Sequence, residues 1–138
     1  MERPLMATVV AQEASLSNLL SSMRGEIVDA RRGYPDVLHV EIRDPDGDHW
    51  NLVTQDAEWS PVDPGELIGL VLERAVLDQG VELRCQVSGR AALVVRPGRG
   101  GSQDDPPYWE LITPGGVALE FGPGARWQIS SADVPASR

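Results

Sequence analysis

Val40 to Leu52, VEIRDPDGDHWNL, is the stretch that decides the fold, because two later stretches repeat its order: Val81 to Leu93, VELRCQVSGRAAL, and Trp109 to Leu119, WELITPGGVAL. Each runs apolar, Glu, apolar, then through a Gly-containing turn into an apolar return. Period-two alternation on both sides of a Gly turn reads as a β-hairpin. The loops are Pro45-Asp46-Gly47, Val87-Ser88-Gly89 and Pro114-Gly115-Gly116. A three-residue loop with Gly last is a type I turn followed by a bulge, in which that Gly takes a positive φ.

These loops fix a register. In the first hairpin Ile42 faces Trp50 and Val40 faces Leu52; in the third, Leu111 faces Leu119 and Trp109 faces Phe121. In the second, the same loop places Cys85 opposite Ala91, Leu83 opposite Leu93 and Val81 opposite Val95. A one-residue slip would divide every one of these apolar sets between core and solvent.

Outward from the hairpins, residues 14–24 read as a helix, with Leu16, Leu19, Leu20 and Met23 on one face, Ser15 as N-cap and Gly25 as C′ residue. Further strands are expected at Ala7 to Ala11, Ile27 to Arg31, Leu70 to Leu77 and Ala125 to Ile129. In the Pro-rich connection after Trp59, Asp63-Pro64 suits a short helical turn capped by Asp63. The expected fold is α+β: mostly antiparallel sheet built from three similar hairpins, with one N-terminal helix packed on it. Residues 1–138 form a single domain, with possible subdomains 1–59 and 66–130 joined by a linker at 60–65.

The charge is concentrated. Twenty-one acids face twelve basic residues, all arginine, for a net charge of −9. Residues 29–66 carry ten acids against three arginines, whereas residues 67–103 carry five arginines against three acids. Such a field repels nucleic acid and anionic membranes. Cys85 is the only cysteine, which excludes an internal disulfide or a multi-thiolate metal site within one chain. No apolar run reaches membrane-spanning length, and Leu5 to Ala11 makes a poor secretory signal, so a cytoplasmic location is expected.

The Asp-rich hairpin tip, Asp44, Asp46 and Asp48, has two readings: aspartates that favour a turn, or a docking site for a basic partner. Calcium-loop spacing would need Gly sixth and Glu twelfth, but Gly47 is fourth and Gln55 twelfth. His39 and His49, the only imidazoles, fall on the outward face, next to Val53 and Arg43 respectively. No nucleophile elbow or zinc-protease motif accompanies them, so neither catalytic nor metal-ligating residues are assigned, and no cofactor is expected. GRGGSQDDPP, Gly98 to Pro107, has no lysine and precedes a strand, unlike a phosphate-binding loop. Cys85 shares the inner face with Leu83 and reads as a small buried hydrophobe. Glu41, Glu82 and Glu110 recur on the outward face, where they discourage edge pairing. Trp59 lacks a periodic partner and is the tryptophan that suits either a surface role or cover for the gap before the linker.

Two resemblances follow from these motifs. Residues 63–127 resemble a family of small, mostly actinobacterial domains of unknown function, some similar to immunity proteins of toxin systems. The shared features are Leu67-Ile68-Gly69, the hairpin around Gly89 ending in Leu93-Val94-Val95, Trp109-Glu110-Leu111, Pro114-Gly115-Gly116, and Gly122-Pro123-Gly124 before Trp127. That resemblance implies partner binding without catalysis. Residues 6–54 are locally similar to a module of the vicinal oxygen chelate superfamily, in their strand, helix and three-strand order and in Asp44-Pro45-Asp46-Gly47. Thr113-Pro114-Gly115-Gly116 takes the corresponding place in a second copy, where Glu120 matches the metal-ligating glutamate; the first copy has Asn51 there, and its first strand has no histidine.

The leading expectation is a non-enzymatic, cytoplasmic protein-binding module, similar to an immunity or accessory protein. It presents acidic residues 36–58 to a basic protein surface through Asp44, Asp46, Asp48, Asp56, Glu58 and Trp59. The alternatives are a vicinal-oxygen-chelate-like small-molecule binder or enzyme, and a structural subunit of a larger assembly, including a homo-oligomer.

Overall fold

The structure, a computed structural model, describes residues 16–88, 92–99 and 104–131. The expected strand at Ala7 to Ala11, the Ser15 cap and the Gly89 turn lie outside the described residues. Residues 16–22 are helical (α1). Ten strands follow: β1 (Gly25–Gly33), β2 (Val37–Arg43), β3 (His49–Thr54), β4 (Ala57–Ser60), β5 (Val71–Asp78), β6 (Glu82–Val87), β7 (Ala92–Pro97), β8 (Trp109–Ile112), β9 (Val117–Phe121) and β10 (Trp127–Ser131). All join one antiparallel sheet in the order β10-β9-β8-β3-β2-β1-β5-β6-β7-β4.

That order, combined with one short connection, sets the shape. In a flat sheet β3 and β4 would stand six strand positions apart, roughly 29 Å at the usual strand spacing. Only Gln55 and Asp56 separate them, and the step from Thr54 to Ala57 spans at most about 11 Å. The sheet therefore curls until its β4 edge returns to the end of β3. The seam is tight: Asp56 N–H donates to the Pro107 carbonyl at 3.2 Å, and a Cβ on Gly98 would fall 2.3 Å from the Asp56 carbonyl oxygen. One sheet and one core run across both sides of residues 60–65.

The core fills the inside of the curl. Leu16 and Leu20 of α1 and Met23 just after it meet Ile27, Leu38, Ile42, Leu52, Leu83, Leu93, Leu111 and Phe121 from the strands. Trp109 stacks on Phe121 with ring centroids 5.1 Å apart, a contact worth about 0.5–1.5 kcal/mol beyond burial.

Register follows the alternation in two hairpins and departs from it in the third. Ile42 pairs with Trp50 and Val40 with Leu52; Leu111 pairs with Leu119 and Trp109 with Phe121. Gly47 and Gly116 take φ of +88° and +85° in matching loops. In the middle hairpin, however, Cys85 pairs with Leu93 and Leu83 with Val95, two residues away from the expected register. The cause is Ser88, whose N–H donates to the Val71 carbonyl while its Oγ accepts from Val71 N–H. These bonds hold the end of β6 to the start of β5, so β6 runs through Val87. A shift of two keeps every side chain on its face, so alternation alone does not detect it.

Gly25 also departs from expectation. It opens β1, paired with Leu72, instead of ending α1. Asp63 does cap a 3₁₀ turn over Pro64–Leu67, its side chain accepting from Gly65 N–H.

Candidate functional site

β2 and β3 carry the six candidate residues to opposite ends of the sheet. Asp44, Asp46 and Asp48 form the β2–β3 tip, whereas Asp56, Glu58 and Trp59 follow β3 beyond its six residues, about 20 Å away. The structure thus does not bring all six into one site.

At the tip, Asp44 is committed to the fold. Its Oδ1 accepts from the N–H groups of Asp46 and Asp48, both at 2.9 Å, and its Oδ2 accepts from the Trp50 indole N–H at 3.0 Å. The Trp50 hydrogen bond, with backbone N–H groups assisting and partial burial opposing, holds the Asp44 carboxyl below the ordinary aspartate range. Asp46 and Asp48 remain exposed.

The opposite end is more elaborate. The Arg32 guanidinium lies over the Trp59 ring, 4.4 Å from its centroid, donates to the Val62 carbonyl at 2.7 Å and pairs with Asp36. Trp59 Nε1 in turn donates to the Asp36 carbonyl at 3.3 Å. The β1–β2 turn and the segment after β4 are thereby bolted together, and Trp59, partly buried against the core, braces them. Cation–π contact of this exposed kind contributes about 0.5–1 kcal/mol. Tyr34 in that turn is 97% exposed and Val62 is 83% exposed, the two most exposed large apolar side chains among the described residues. A shallow cleft beside them is lined by Pro35, Val37, Gln55, Asp56, Asp105 and Pro106. Glu58 is exposed on β4, opposite Arg96 of β7.

Sequence reasoning missed Arg32, Tyr34, Val62 and Asp105 here. A signal was present: Tyr34-Pro35 interrupts the alternation with a large aromatic in a turn, where no core demands one.

The outward face of β2 and β3 holds paired polar groups. His49 Nδ1 lies 2.5 Å from Glu41 Oε2, and His39 Nε2 lies 2.8 Å from Asn51 Oδ1. Each imidazole has its own partner. Glu120 is on the same outward face, opposite Glu110, and accepts from Gln128 Nε2 at 2.8 Å. Burial first, then the Glu120 charge, raises the Glu110 pKa. Cys85 is 2% exposed, and burial pushes its thiol up to about 12, far from a nucleophile's range. Among the described residues no group of three or more His, Cys, Asp or Glu side chains is placed to hold a metal ion, and no helix is long and apolar enough to cross a membrane.

The chain shows no match to a family model, to a curated protein or to a solved structure.

Proposed function

We propose that this protein is a non-enzymatic, cytoplasmic protein-binding module of the immunity or accessory type. Its binding surface is the end that carries Tyr34, Val62 and the braced Trp59, with Asp36, Asp56 and Glu58 around them. The observation that carries the reading is the near-complete exposure of Tyr34 and Val62 on a segment held in place by Arg32 and Trp59. Large apolar side chains left in water on a rigid platform are what a partner's recess can bury at little entropic cost. The surrounding carboxylates specify a partner with a basic rim and steer its approach. The same negative field disfavours nucleic acid and anionic lipid.

The test uses the full chain, tagged, as bait in a native lysate of its source, with captured proteins identified by mass spectrometry. Capture of a specific partner, lost with Tyr34→Ala plus Val62→Ser and weakened by charge reversal at Asp56 and Glu58, is the expected result. Charge reversal at Asp46 and Asp48 should leave capture intact. Equal capture by all these baits, or none by the unaltered chain, refutes the proposal.

A further inference from the structure

A second concavity lies away from that surface, between α1, the edge of β5 and the β9–β10 corner. It encloses about 670 Å³, within the roughly 300–1,000 Å³ typical of small-molecule sites. Leu16 and Leu20 of α1, Phe121 and Trp127 make its apolar wall. Two arginines, Arg24 and Arg74, also line it.

The arginines at 31, 32, 43, 84 and 96 each have a carboxylate partner. Arg24, Arg74, Arg99 and Arg126 have none among the described residues, and of these Arg24 and Arg74 line the concavity. Gly25 pairs with Leu72 in an antiparallel ladder that runs on to Arg24 opposite Glu73, and Arg74 follows one residue further along β5. Glu73 is the one carboxylate lining the concavity, which leaves it with a net positive charge. Two arginines against one carboxylate beside an apolar wall leave an excess positive charge that an organic anion neutralises.

We propose that this groove binds an amphiphilic organic anion, with its apolar body against Leu20, Phe121 and Trp127 and its anionic head held by Arg24 and Arg74. Guanidinium groups match the geometry of a carboxylate or similar oxyanion. The site is independent of the protein-binding end and survives or fails separately from it.

Dodecanoate, dodecan-1-ol and dodecyltrimethylammonium, each below its micellar concentration, are the probes. Titration of the full chain by calorimetry and by tryptophan emission should show saturable binding of dodecanoate, with the emission change abolished by Trp127→Phe. The alcohol and the ammonium compound should bind at least about tenfold more weakly, the equivalent of one charge-assisted contact. Arg24→Gln and Arg74→Gln should each weaken dodecanoate binding severalfold, while Arg99→Gln, at an exposed arginine outside the groove, should not. These are surface substitutions that leave the core untouched. No saturable binding, equal binding of the three probes, or the same response to all three arginine variants overturns the proposal.

Discussion

Replacing Gly25 by alanine tests the account of how β1 begins. Its φ is +147°, and an added Cβ would lie 2.1 Å from the Arg43 carbonyl oxygen and 2.8 Å from Asp44 Cα. Both obstacles are backbone, so no side-chain rotation relieves them. The strand must move about an ångström, at the point where Gly25 pairs with Leu72 and Glu26 with Arg43. Overpacking of this kind costs about 1–3 kcal/mol, and the unfavourable φ adds about 1–2 kcal/mol. Gly47 provides the control: its φ is +88°, but nothing lies within 4 Å of its added Cβ. Gly47→Ala should therefore cost only the conformational share, about 1–2 kcal/mol. Urea unfolding followed by tryptophan emission measures both, with the slope showing whether the denatured state has changed. Gly25→Asn separates the readings further, because a helix-ending glycine tolerates Asn whereas a backbone clash does not. Equal losses at Gly25 and Gly47, or a tolerated Gly25→Asn, refute the reasoning.

Between the ordinary thiol value and about 12, unfolded chains have lost the Cys85 proton that folded chains keep, so stability falls as pH rises through that window. The loss, about 1.4 kcal/mol per pH unit, should disappear in Cys85→Ala, and parallel urea curves for the two proteins from pH 8 to 10 would contradict it. Trp109 Nε1 is buried without a hydrogen-bond partner among the described residues, so Trp109→Phe removes an orphan donor worth about 1–3 kcal/mol along with some apolar contact and should come out within about 1 kcal/mol of neutral; a loss above about 3 kcal/mol would sink this account. Trp50→Phe removes the main support of the depressed Asp44 carboxyl, and an NMR titration should show its pKa rise; an unchanged value counts against the clasp. Glu120→Gln should lower the Glu110 pKa only part of the way to its ordinary range, since burial is the larger cause, and complete normalisation would reverse that ranking.

Local chemistry made the strands legible. The positive φ at Gly47 and Gly116 and the capped turn at Asp63-Pro64 follow from residue types whose backbone demands are strong and short-ranged. The middle hairpin failed because period-two alternation repeats under a two-residue shift, and the residue that chooses between registers, Ser88, bonds to Val71, seventeen positions away. Gly25 failed for the same reason: its requirement comes from Arg43, which no local window around α1 contains. The candidate site divided along this line. Its acids were visible as composition, but Arg32, Tyr34 and Val62 gain their roles only when the β1–β2 turn meets the segment after β4.

The curl of the sheet also changes what the acidic segment can do. Contiguous in sequence, residues 29–66 suggest one negative surface, yet β3 places Asp46 and Asp48 about 20 Å from Asp56 and Glu58. The Debye length at physiological ionic strength is about 8 Å, so across that span each end is nearly blind to the other's charge. On the proposed reading, a partner seated on Tyr34 and Val62 meets Asp36 and Asp56 nearby and the hairpin tip only as a weak, screened field. At roughly 10 mM salt the Debye length grows to about 30 Å and the two ends act together. The net charge of −9 then acts as one field at low ionic strength and as two separate patches at physiological ionic strength, and on the proposed reading only the patch beside the exposed aromatic adds to the stability of a complex.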